Sequence, residues 1–253
     1  MPVPVWEVAA STAVDSPEEA SEEAVDMHGD LLGILLSVIL IALCLAIAFI
    51  VSKFGKRRLG DASSEIARKI VHIGVSNWFF VYYHVFESDI WPILGLGVFT
   101  VINLILNVSG SLAVLMGQSS KKRNWGLVEY PISVILLIVL KMLGVGDAVC
   151  IGCGLLCMGY GDGLAALVGR AIKSKKFGLG GKKSVAGSVT MALVTFVIFI
   201  ALKLGYGSAA STGAVVLVAL LAALLATLVE AYTPFGLDNI SVPLTIYLVS
   251  VLV

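Results

Sequence analysis

Residues 31–51 (LLGILLSVILIALCLAIAFIV) run without a single charge, and a helix needs about 20 such residues to cross the hydrocarbon of a bilayer. Seven more apolar runs follow, at 66–86, 90–106, 127–143, 148–168, 184–204, 211–229 and 237–253. Their lengths suit helices rather than strands. The last is the weakest, because at about 1.5 Å per residue it barely reaches across. The count is therefore eight crossings, or seven plus an interfacial segment. Hydrophobic residues make up 58% of the chain and charged ones 13%, far below the roughly 25% charged residues of a soluble domain. With a mean hydropathy of +1.00, the expected fold class is an all-α polytopic membrane protein, with one helical membrane domain over 31–253.

The charges cancel, seventeen basic against seventeen acidic, but they are not mixed. Eight acids (Glu7, Asp15, Glu18, Glu19, Glu22, Glu23, Asp26 and Asp30) precede the first apolar run. Fifteen of the basic residues fall into 53–69, 121–123 and 170–183, separated by pairs of apolar runs. Basic loops recurring after every second crossing are the positive-inside pattern. They put the acidic segment 1–30 outside, as a solvated tail too polar to bury a core. It lacks the basic n-region of a cleaved signal. The link 230–238 joins the basic loops on the cytoplasmic side.

Cys44, Cys150, Cys153 and Cys157 all lie inside apolar runs, where a small polarizable side chain packs well. The C-x-x-C of Cys150 and Cys153 has no second cysteine pair or flanking histidine to complete a ligand set. Glycine crowds the fifth run. Such density permits close helix approach but weakens a helix by about 1 kcal/mol per residue, so this segment is expected to break or bend near Asp162.

Four motifs carry chemistry. In EIARKIVHIG (65–74), Arg68 and Lys69 stand at the membrane boundary, with His72 three to four residues on and on their face of the helix. A guanidinium beside an ammonium suits a phosphate. In GYGDGLAALVGR (159–170), Asp162 is the one charge of an apolar run, and an intramembrane acid is a functional-site hypothesis by default. Gly161 and Gly163 beside it would let a ligand approach the backbone. In KSKKFGLGGKKSVAGS (173–188), Lys182, Lys183 and the start of a helix at Ser184 could face one anion, although the spacing is not that of a Walker A loop. In EAYTPFGLDNISVP (230–243), Glu230, Asp238 and Asn239 offer the oxygen ligands that Mg²⁺ prefers. Glu129, at the start of the fourth run, reads as a structural partner for a basic residue.

The ordered set RKIVH, GYGDGLAALVGR, GKKSVAGS and TPFGLDN resembles the CTP-dependent lipid-alcohol kinases, the family of dolichol kinase, phytol kinase and fungal-type diacylglycerol kinase. The likeness runs from about residue 65 to 243. It implies a membrane enzyme that moves the γ-phosphate of CTP to a lipid hydroxyl. The family's basic pair falls on Arg68 and Lys69, its essential acid on Asp162 and the following glycine on Gly169. Its Lys-Ser stretch falls on Lys183 and Ser184, and its Asp-Asn pair on Asp238 and Asn239. The phosphatidate cytidylyltransferases are similar to this family, but their C-terminal Lys-Asp and His-Gly-Gly signature is missing here.

The mechanism expected from this set places Asp162 on Mg²⁺ or on the proton of the lipid hydroxyl, with Asp238, Glu230 and Asn239 completing the metal and nucleotide site. Lys182, Lys183, Arg68 and Lys69 would bind phosphates, helped by Ser184, His72 and the glycines. The lipid would enter sideways between helices, and no nucleic-acid partner is expected. A transporter would show an internal repeat and midplane sites, and neither is visible. A lipid-binding scaffold gives no reason for Asp162. The apolar faces are generic Leu, Val, Ile and Ala, and no base-reading element stands out, so neither the lipid nor the nucleotide base is chosen by the residues themselves.

Overall fold

Strong N-terminal caps set where several helices begin. The Asp147 carboxylate accepts from the Cys150 amide at 2.8 Å, the Ser184 hydroxyl from Gly187 at 3.2 Å and the Ser211 hydroxyl from Ala214 at 3.3 Å. Each satisfies an amide that the first helical turn leaves open. A computed structural model describes residues 17–60, 62–111, 125–181, 183–207, 209–234 and 236–253. Among them are nine α-helices: α1 Pro17–Leu59, α2 Ala62–Ser76, α3 Trp78–His84, α4 Ile90–Val108, α5 Gly126–Met142, α6 Ala148–Ala171, α7 Val185–Gly205, α8 Thr212–Tyr232 and α9 Asp238–Ser250. The basic loop 121–123 and Lys182 lie outside the described residues.

The all-α membrane fold stands. Five helices among the described residues, α1, α4, α6, α7 and α8, are long and apolar enough to cross a bilayer. The other three expected crossings are shorter. The run 66–86 is divided by a turn at Asn77 into α2 and α3, where the Asn77 amide side chain donates to the Ile73 carbonyl at 2.7 Å. The fourth run forms the 17 residues of α5, and the last only the 13 of α9. The acidic segment also differs from expectation from residue 17 onward, because α1 already begins at Pro17. Asp30 is buried at 3% exposure, and its carboxylate accepts from the Glu87 and Ser88 amides, each at 3.1 Å. Those amides would otherwise be open in the α3–α4 link, which is why this acid leaves solvent.

α6 is the hub. In its apolar window 72% of residues are buried, against 11% to 33% in the other four long helices. Those four turn large side chains outward, such as Val98 at 62%, Val197 at 62% and Leu217 at 69%, as a bilayer solvent allows. The glycines of α6 do not break it. A Cβ on Gly152 would meet the Phe79 ring at 2.6 Å, and one on Gly154 would lie 2.9 Å from the Pro243 carbonyl oxygen. Glycine lets α3 and α9 settle against the α6 backbone, and that packing outweighs the propensity penalty. All four cysteines are free and buried in this bundle.

Candidate active site

Asp162 reaches its partners through two glycines one turn apart. A Cβ on Gly159 would lie 3.0 Å from the His72 carbonyl oxygen, and one on Gly163 would lie 2.5 Å from Ile73 Cγ1 and 3.7 Å from the Lys69 carbonyl oxygen. This GxxxG face seats α2 directly on α6. The ammonium of Lys69 then donates to Asp162 Oδ2, and His72 Nδ1 stands 3.9 Å from the same oxygen. The three residues are buried at 6% to 7% exposure. The His72 ring rests on Tyr130 of α5, centroids 5.2 Å apart and planes 50° apart.

Gly161 and Gly163, which the sequence suggested for ligand approach, face neighbouring helices instead of the cavity. Gly163 receives Ile73, and Gly161, on the opposite side of α6, receives the sulfur of Met191 from α7. Neither lines the cavity described below. Gly169 does line it, and its open Cα side accommodates the Ser184 hydroxyl.

The segment 173–188 is a hairpin. Lys176–Phe177 pairs antiparallel with Lys183–Ser184, Lys176 opposite Ser184 and Phe177 opposite Lys183. Gly178 turns the chain at φ 77°, and a Cβ there would lie 2.6 Å from the Ala231 carbonyl oxygen. A glycine at this point lets the hairpin rest on the end of α8, one residue from Glu230. The Lys183 ammonium consequently donates to Glu230 Oε1 at 2.6 Å and to Asp238 Oδ2 at 3.4 Å. Burial opposes its charge, but the Glu230 carboxylate, then Asp162 and Asp238, outweigh this and hold its pKa above the ordinary lysine value. The helix start is less open than expected. The Val185 amide donates to the Lys175 carbonyl at 3.0 Å, Ala186 to the Ser174 hydroxyl at 3.0 Å and Gly187 to Ser184. The amides of residues 185–187 are thus already occupied, and what this segment presents to the cavity is lysine side chains.

Asp238 opens α9 without capping it, so its carboxylate is available to Lys183. The Asn239 amide donates to Glu129 Oε2 and to the Gly236 carbonyl, both at 3.4 Å. Glu129 thus has an amide and not a basic residue as its hydrogen-bonding partner.

These groups wall one cavity of about 840 Å³. Arg68, Lys69, His72, Asp162, Gly169, Lys183, Ser184, Glu230, Asp238 and Asn239 all line it, so the sequence-separated motifs converge. The sequence did not single out Lys173, Lys176 and Ser188, which also line it, nor Arg170 paired to Glu65 across its wall. The helical period offered one clue for Ser188, four residues after Ser184 on the same face.

Of the three acids expected to hold Mg²⁺, Asp162 already has its Oδ2 on Lys69. Glu230, 3% exposed, leaves Oε2 with no hydrogen-bond partner among the described residues. Among the described residues no group of three or more His, Cys, Asp or Glu side chains converges as a metal cage. One or two carboxylates with substrate phosphates are what Mg²⁺ commonly uses, and Glu230 with Asp238 fits that pattern.

The chain is 31% identical over 192 residues to phytol kinase of Synechocystis sp., an alignment covering 74% of this chain and 78% of that one. It belongs to the phytol kinase family of lipid-alcohol kinases. A probable chloroplastic phytol kinase of rice is 28% identical over 207 residues, covering 77% of this chain and 68% of its own. The chloroplastic farnesol kinase of Arabidopsis thaliana is 28% identical over 206 residues, covering 76% and 66%. No protein-family profile and no solved structure matches the chain. Family membership makes it a kinase of the lipid-alcohol class.

Proposed function

We propose that this protein transfers the γ-phosphate of CTP to the primary hydroxyl of an isoprenoid alcohol such as phytol or farnesol, at the cytoplasmic boundary of the membrane. The observation that carries the reading is the single cavity in which six basic side chains meet Asp162, Glu230 and Asp238 at one end of an apolar bundle. Phosphoryl transfer asks a protein chiefly for positioning and charge neutralisation. A membrane-embedded site keeps the isoprenoid chain in lipid while the nucleotide stays in water.

Arg68, Lys173, Lys176 and Lys183 bind the triphosphate, and Asn239 braces the start of α9. Glu230 and Asp238 would hold Mg²⁺, which when bound would neutralise the charge of the phosphates. Lys69 fixes Asp162, whose carboxylate takes the hydroxyl proton as the lipid oxygen bonds to the γ-phosphorus. The bond from that phosphorus to the β–γ bridging oxygen breaks, and CDP leaves. Helices α2 and α5 both wall the cavity, where the His72 ring meets Tyr130, and the lipid enters sideways between helices.

The test uses the purified full chain in mixed micelles with phytol or farnesol and CTP labelled either at the γ-phosphate or in the base. Label from the γ position on the lipid, with CDP released, supports the reading. Base label on a phosphatidate lipid, with pyrophosphate released, would mean cytidylyl transfer and overturn it.

A further inference from the structure

Glu230 and Asp238 come from different elements, the end of α8 and the start of α9, and share a lysine from a third, the short strand at 183–184. Two carboxylates with one ammonium leave this three-residue cluster with one net negative charge. The deficit is local to Glu230, because Oε1 accepts from Lys183 while Oε2 is buried with no donor. A buried carboxylate oxygen without a donor is costly, and no described basic group donates to it.

Lys183 differs from the acids it joins. Its side chain is 28% exposed against 3% for that of Glu230, and it sits on a two-residue strand beside glycines with φ of 62° to 77°. It can leave without disturbing a helix. The acids, on helices packed into the bundle, stay.

We infer that Lys183 is a built-in substitute for a divalent cation: it fills the Glu230–Asp238 site in the nucleotide-free protein and gives it up when Mg²⁺ arrives. This rests on the kinase reading for its purpose, since the released ammonium then meets the phosphates entering the same cavity. The exchange raises the positive charge facing the two acids from one unit to two, and adds the freed lysine to the phosphate side. Neither change is available to a lysine that serves only as a structural pair.

Mn²⁺ is the probe, titrated by paramagnetic resonance into the full chain in lipid nanodiscs without nucleotide or lipid alcohol. Lys183→Met is expected to bind Mn²⁺ about tenfold tighter or more than the parent, because a competing positive charge is removed from beside the ion. Adding Glu230→Gln should abolish that gain. Equal or weaker binding by folded Lys183→Met overturns the proposal. Should that variant fail to fold, the parent decides: Mg²⁺ should raise the rate at which acetic anhydride labels Lys183, read by mass spectrometry, and an unchanged rate overturns it. Because no nucleotide is present, loss of kinase activity would sink the functional reading alone, and loss of the exchange would sink this one alone.

Discussion

Helix α5 has a carboxylate site at each end, and the two are built differently. At its far end Lys141 donates to both oxygens of Asp89, each at 2.9 Å, and the Tyr82 hydroxyl adds a third donor at 2.7 Å. The adjoining cavity is only about 160 Å³. At its near end, Lys69 and Asp162 are more deeply buried, yet His72 Nδ1, Ser188 Oγ and Glu230 Oε2 around them have no hydrogen-bond partner among the described residues. The cavity is about 840 Å³. A saturated pair fixes two helices together. A charged set with unsatisfied members leaves hydrogen-bonding capacity open to the cavity.

The strongest way to break this comparison is Asp162→Asn. It should lower the rate of lipid phosphorylation by about 10³-fold, in the range of a lost proton acceptor, with insertion and expression unchanged. A purified variant working at the parent rate would place the near-end acid in the same structural class as Asp89. Gly163→Val comes next. A branched side chain there collides with Ile73, and overpacking typically costs about 1 to 3 kcal/mol. The expected outcome is a lower thermal midpoint together with lost activity, since α2 must retreat and take Lys69 from Asp162.

The same contrast shows what the sequence could reveal. Apolar runs marked the helices because a bilayer leaves an uncharged stretch few other fates, and Asp162 stood out for the same reason. The basic and acidic motifs were legible as types, and all but Gly161, Gly163 and the undescribed Lys182 reached the cavity wall. Which glycine serves packing was not legible, because a bare Cα looks alike whether a ligand or a helix approaches it. Gly161 and Gly163 needed the positions of Met191 and Ile73. Nor did residues 173–188 show that Ser174, Lys175 and Ser184 would occupy the amides of α7. That depended on the hairpin folding back on itself.

Arg68→Ala separates the phosphate wall from the proton acceptor. Arg68 lines the cavity beside Lys69 but is not its substitute, since consecutive helical residues point about 100° apart. Its loss should raise the nucleotide KM about tenfold, the scale of one charge-assisted contact, with a smaller effect on kcat and on the KM for the lipid. An equal rise in both KM values would mean that it shapes the cavity without reading phosphate.

The smallest effect belongs at the saturated end. Asp89→Asn keeps the shape and the Tyr82 contact but removes the charge facing Lys141. Both side chains are partly exposed, 20% for Asp89 and 32% for Lys141, so solvent screens the pair and its worth is about 1 kcal/mol or less. The thermal midpoint should fall slightly, and Lys141→Met should produce a similar fall that does not add to it in the double variant. Lipid phosphorylation should stay at the parent rate in all three. A drop in rate without a drop in stability would show that the two ends of α5 communicate, and that the far pair does more than hold α4 against α5.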